Sequence, residues 1–147
     1  MQTIEVQHHY AEPPEQVFAR LSDHARFLTE RGVRCEVTTP GQGDRNGLGA
    51  LREVWVGPLH FAERVVEWNP PLSYGYRIES LRRGDRELPV DHHGGRIECR
   101  ADAGGTTVRW SSTFHVRVPL IGRWIEKAML RKFSAAFRSA LLRAERS

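Results

Sequence analysis

Ala50-Leu-Arg-Glu-Val-Trp-Val-Gly-Pro-Leu-His-Phe-Ala-Glu-Arg-Val-Val66 decides the fold. Gly57-Pro58 is a turn signal between two runs rich in β-formers, so the stretch reads as a hairpin. A tight connection sets Val56 opposite Leu59, Val54 opposite Phe61, Arg52 opposite Glu63 and Ala50 opposite Val65. Side chains alternate between the faces of a strand, so one face is almost wholly apolar and carries a single Arg–Glu pair. The other face, with Glu53, Trp55, His60, Ala62 and Arg64, has the mixture of a solvated surface.

The same parity extends outward. The turn Asn69-Pro70-Pro71-Leu72 sets Val65 against Tyr76, Glu63 against Ile78 and Glu67 against Tyr74. In a later hairpin around Ala103-Gly104-Gly105, Phe114, Ser112, Trp110 and Val108 face His93, Gly95, Ile97 and Cys99. Three hairpins agree on one inward face. Its polar members are Arg52, Glu63, Tyr76, His93 and Ser112, with Glu67 and Tyr74 nearer the rim.

Strands are predicted at 3–10, 33–39, 50–56, 59–68, 73–81, 92–101 and 106–116. Between the first two, Glu12-Pro13-Pro14 punctuates the chain, and Val17, Phe18, Leu21, Ala25, Phe27 and Leu28 keep helical spacing. A break near Ser22-Asp23-His24 gives two short helices ending at Gly32. After Pro119 an apolar period from Ile121 through Trp124, Phe133 and Phe137 to Leu141 predicts a long helix over 121–145. The architecture expected is α+β: a seven-stranded curved antiparallel sheet wrapped around the long C-terminal helix, in one domain over 1–147. A sheet with one apolar face must bury it, and only this helix is long enough to cover it.

Composition bounds the function. The formal charge is +4, but the cations are interleaved with acids along most of the chain. Almost all are arginine, which fits a GC-rich coding bias better than a phosphate-binding stripe, and no nucleic-acid partner is expected. No run approaches the ~20 apolar residues of a membrane span, and the N-terminus shows no secretory signal, so a cytoplasmic protein is expected. Cys35 and Cys99 read as reduced, buried thiols. Adjacent His8-His9 and His92-His93 point to opposite faces of their strands, and no metal spacing occurs. Neither metal nor cofactor is expected.

Arg52 and Glu63 read two ways, as a polar anchor for a ligand or as a cross-strand ion pair with no ligand role. His93 is the candidate acid–base group, or a satisfied core histidine. Tyr74, Tyr76 and Trp110 read as cavity wall, and Ser112 has no visible partners for nucleophilic catalysis. On the helix, Trp124 and Phe133 either line the space or fill it. Arg123, Lys127, Arg131, Lys132, Arg138, Arg143 and Arg146 make its outer face basic, either a solvated surface or one suited to transient contact with an anionic membrane.

The chain resembles the START-like helix-grip (SRPBCC) superfamily, in its polyketide cyclase/dehydrase and lipid transport family. The resemblance rests on Glu12-Pro13-Pro14-Glu15-Gln16-Val17-Phe18 followed by Leu21-Ser22-Asp23, and on Gly47-Leu-Gly-Ala-Leu-Arg52. It continues in Glu63-Arg-Val-Val-Glu-Trp-Asn-Pro-Pro71, Tyr74-Gly-Tyr-Arg-Ile78, Gly104-Gly-Thr-Thr-Val-Arg-Trp110, Phe114 and the terminal helix. It implies a cavity for a hydrophobic small molecule (a lipid, an isoprenoid or quinone, or an aromatic polyketide) held by a carrier or sensor. Arg52 and Glu63 carry over as polar groups of that cavity. Two alternatives remain: a cyclase or dehydratase with His93 as base, Arg52 stabilising an enolate and Tyr74 or Tyr76 donating a proton; and an interaction module of co-chaperone or antitoxin type using Trp55 beside His60.

Overall fold

The computed structural model describes residues 1–145. In chain order it contains β1 (Gln2–Tyr10), α1 (Pro14–Ser22), α2 (His24–Phe27), β2 (Val33–Thr39), β3 (Leu51–Val56), β4 (Leu59–Asn69), β5 (Ser73–Arg83), β6 (Arg86–Glu87), β7 (Val90–Asp102), β8 (Gly105–Val116) and α3 (Gly122–Ala144). The sheet is antiparallel, in the order β1-β8-β7-β5-β4-β3-β2, with the two-residue β6 pairing β5 at its tip. β6 is the one strand the sequence pattern did not predict; two residues are too few to show a period.

Pro14 opens α1 at its first turn, where a missing N–H costs nothing. Val17, Phe18 and Leu21 form its buried face. Asp23 leaves the helical region at φ −86° and ψ 71°, and α2 starts afresh with His24 turned inward. α3 lies against β1 and β8 on the inward face of the sheet. The Tyr10 hydroxyl donates to the Leu141 carbonyl at 2.6 Å and fixes the helix C-terminal half.

The predicted register holds at Val56–Leu59, Val54–Phe61, Arg52–Glu63, Glu63–Ile78 and Val65–Tyr76, and at Gly95–Ser112, Ile97–Trp110 and Cys99–Val108. Two bulges shift the rest. An extra residue at Val66 brings Glu67 opposite Gly75 and Trp68 opposite Tyr74, so Trp68 turns inward against Phe18 and Glu67 turns outward. An extra residue at His93 places His92 opposite Phe114. His92 takes the inward position predicted for His93, and His93 is exposed.

Gly94 and Gly95 explain the second bulge. Gly94 has φ +130°, a region that side chains rarely enter. Gly95 lies under the Tyr76 ring, where a Cβ would come within 2.1 Å of Cζ. The bulge and the bare backbone together let Tyr76 fold flat across the sheet.

Candidate functional site

A buried polar cluster sits where α2 meets β3, β4 and β5. Arg52 is fully buried, with Nη2 3.4 Å from Glu63 Oε1. Its guanidinium lies 5.6 Å and 5.5 Å from the centroids of the Tyr74 and Tyr76 rings, whose faces favour a cation. None of its nitrogens makes a hydrogen bond. His24 Nδ1 approaches the same Glu63 oxygen at 3.3 Å. A neutral His24 that donates from Nδ1 to Glu63 accepts at Nε2, so the Tyr74 hydroxyl proton is shared between His24 Nε2 and the Leu21 carbonyl, the latter at 2.6 Å. Burial and the neighbouring Arg52 push His24 down to about 4, so it is neutral at pH 7. Burial alone would raise Glu63, but Arg52 and the His24 hydrogen bond hold it below the usual carboxylate range. Glu63 is therefore an anion, and an acceptor only.

Beside this cluster, a cavity of about 470 Å³ opens between the sheet and α3. Val54, Phe61, Phe114, Met129, Phe133 and Phe137 are among its apolar walls, and Glu63, Tyr76, His92 and Ser112 form a polar end. Trp110 stacks on Phe137 at 3.8 Å and donates its indole N–H to the Tyr76 hydroxyl at 2.8 Å.

The proton on His92 can be placed. The Ile78 N–H donates to Nδ1 at 3.0 Å. Burial pushes this histidine down to about 4, so its single proton sits on Nε2 and goes to Ser112 Oγ at 2.7 Å. This polarity is the reverse of what nucleophile activation requires: His92 gives a hydrogen bond to Ser112 and cannot take its proton. Ser112 also hydrogen-bonds with the Tyr76 hydroxyl, and the pair keeps one hydroxyl proton to donate beyond. Burial raises the Tyr76 phenol far above neutrality, so it stays protonated.

The structure thus brings Glu63, Tyr76, Trp110, Ser112 and Phe133 to one cavity. Arg52 and Tyr74 stand behind its wall, without exposed surface. His93 faces outward because of the bulge, so a base at His93 acting with Arg52 on a substrate is not assembled. Trp124 is 71% exposed and lies off the cavity, because it is on the solvent side of a turn whose Ile125 and Glu126 face the sheet. Sequence reasoning missed His24 and His92. The signal for His24 was its place on the apolar spacing between Leu21 and Phe27; for His92 it was the Gly94-Gly95 pair, which marks a bulge. Trp55 is already engaged within the chain, stacked on His60 at 4.9 Å and under Arg34 at 4.0 Å. Among the described residues no cluster of metal-ligating side chains occurs, and no helix is long and apolar enough to cross a membrane.

A curved antiparallel sheet closed by a C-terminal helix over an apolar cavity defines a helix-grip protein. The sequence model for polyketide cyclase/dehydrase and lipid transport proteins matches residues 1–146, and the chain belongs to that family. Solved structures share the fold. TTHA0849 from Thermus thermophilus superposes with TM-score 0.73 at 16% identity, covering 99% of this chain and 95% of that one. XoxI from Bacillus cereus gives 0.71 at 18% identity, covering 99% and 94%. DynU16, from the dynemicin biosynthetic locus, gives 0.67 at 16% identity, with 99% of this chain matching 46% of that one. No curated protein matches by sequence.

Proposed function

We propose that this protein binds one neutral, largely apolar molecule in the cavity, as a carrier or sensor and not as a catalyst. The ligand class is an isoprenoid or quinone, an aromatic polyketide or another neutral lipid. The observation that carries this reading is the polar end of the cavity: an ionised carboxylate beside the Tyr76 and Ser112 hydroxyls, facing a wall of Val54, Phe61, Phe114, Phe133 and Phe137, with charged residues such as Glu79, Arg117 and Lys132 also lining the space. Such a pocket is of ligand size, and a few convergent polar groups orient what an apolar wall holds. A ligand oxygen would accept from Tyr76 or Ser112, and a ligand hydroxyl would donate to Glu63. Arg52 neutralises the charge of Glu63 from behind, yet the face turned to the ligand at this end is the carboxylate, which repels a fatty-acid head group placed beside it. A carrier exchanges cargo with a membrane, and the basic face of α3 suits anionic lipid. The buried thiols Cys35 and Cys99 suit the reducing cytoplasm.

The test is tryptophan fluorescence of the wild type and of Trp110→Phe, which lacks the tryptophan that lines the cavity, with three probes: 2-naphthol, its methyl ether 2-methoxynaphthalene, and dodecanoate. Naphthol is expected to bind most tightly, the ether about tenfold more weakly for want of one charge-assisted hydrogen bond, and dodecanoate least. Absence of quenching by every probe rejects the cavity as a binding site. Equal affinity for naphthol and its ether keeps the cavity but rejects Glu63 as a ligand contact.

A further inference from the structure

The segment between β8 and α3 ends in an unusual tip. Leu120 has φ +68°, the left-handed region that costs a side-chain-bearing residue about 1–2 kcal/mol, and it is 97% exposed. Ile121 and Trp124 are also exposed, and with Met1 they give this end of the molecule an apolar point. A strained backbone that turns a leucine fully into solvent gains nothing for the core.

The charges around the tip are of one sign. Arg123, Lys127 and Arg131 follow at intervals of four, and Arg138 two turns later, so they share a face of α3. Among the described residues none of the four makes an ion pair, and the Lys127 ammonium lies 5.5 Å from the Trp124 ring centroid. Arg146, predicted to belong to the same basic set, lies outside the described residues. The neighbouring carboxylate is withdrawn: Glu126 is buried and takes the Met1 ammonium at 3.0 Å, the Val116 N–H at 2.8 Å and His115 Nδ1 at 3.0 Å.

We propose that Leu120, Ile121 and Trp124 form a docking tip for an anionic lipid bilayer, with Arg123, Lys127, Arg131 and Arg138 as its headgroup-binding face. Leu120 is almost wholly exposed and Trp124 largely so, which suits a soft apolar medium. A tryptophan and cations at the junction of apolar and polar layers match the interfacial zone of a membrane, where each cation near an anionic surface contributes about 1 kcal/mol. The tip gives the carrier reading its docking element, and so rests on it. The two fail separately, because vesicle binding and probe binding are different measurements.

The experiment is co-sedimentation with phosphatidylglycerol–phosphatidylcholine vesicles against pure phosphatidylcholine, in low salt and at about 0.5 M salt. The expected result is binding to the anionic vesicles only, weakened by salt. Arg123→Gln/Lys127→Gln/Arg131→Gln should bind about a hundredfold more weakly. Leu120→Gly/Trp124→Ser, in which glycine accepts the backbone angle without strain, should lose the binding that survives salt. Both variants should still unfold cooperatively in urea as the wild type does, which shows that they fold. Wild-type protein that ignores anionic vesicles overturns the proposal, as does a triple glutamine variant that binds undiminished. So does a solution dimer that Leu120→Gly/Trp124→Ser dissociates, since the tip would then meet a second copy of the chain.

Discussion

Arg52 and Glu63 face one another across β3 and β4 at 3.4 Å, yet the arginine is fully buried without a hydrogen bond from any of its nitrogens. A desolvated guanidinium is costly, and the tyrosine faces and one carboxylate offset that cost only in part. What it does for the site is electrostatic. It keeps Glu63 ionised and helps burial keep His24 neutral, so the cavity has a strong acceptor that belongs to a cluster of no net charge.

Removing one partner should therefore cost more than removing both. Arg52→Ala leaves a buried carboxylate beside a histidine and should destabilise the fold by about 3–5 kcal/mol. Arg52→Met/Glu63→Leu replaces the pair with apolar volume and should cost much less. Urea unfolding of both variants checks this; equal losses would show that the pair is not energetically coupled.

The register of these strands was legible because Gly57-Pro58 and Asn69-Pro70-Pro71 each fix which residues are paired, and the alternation carries that choice along the strand. Bulges were not legible, because they arise from contacts the alternation does not encode. The His93 bulge needs the positive φ of Gly94 and the Tyr76 ring over Gly95, and it exchanges the two adjacent histidines. Trp124 fell on the edge of the helical period, but a period does not say how wide a face of the helix the sheet covers. His24 joins the cluster only once β4 brings Glu63 to it, a contact 39 residues away along the chain.

Acid should weaken the fold in a defined window. Unfolded, His24 and His92 each take a proton near 6.5; folded, both are pushed down to about 4. Between those values the unfolded chain binds more protons, so stability falls as pH drops from about 6.5 to 4, by up to about 1.4 kcal/mol per unit for each histidine. Glu63 has a depressed folded value, so its contribution is present above the ordinary carboxylate range and is lost at still lower pH. Urea midpoints between about pH 7.5 and about pH 4.5 should show the slope, and His92→Gln should halve it. A flat profile would mean that both histidines take up their protons in the folded chain as they do in the unfolded one.

Gly95→Ala should disturb the site from beneath. The new methyl group would press on Tyr76 Cζ, and overpacking of this kind costs about 1–3 kcal/mol. Moving Tyr76 also takes away the acceptor of the Trp110 indole, so the variant should melt earlier and show shifted tryptophan emission. In a Tyr76→Leu background most of the added penalty should vanish, because the ring that clashes is gone. A penalty unchanged in that background would place its cause in the β-bulge backbone.

Leu120→Gly offers the reverse case, a substitution away from an apolar residue that should stabilise. Leucine at φ +68° carries a left-handed strain of about 1–2 kcal/mol that glycine avoids, and glycine gives back part of the gain through the greater freedom of its unfolded chain. With 97% of Leu120 exposed, almost no packing is lost. The melting temperature should rise by a few degrees, on the order of 2–4 °C for about 1 kcal/mol in a chain of this size. Such a gain, together with weaker binding to anionic vesicles, would show a leucine kept at the expense of stability for what it touches outside the protein. A loss of stability would mean instead that Leu120 packs into the fold, and the tip would lose its reason to be strained.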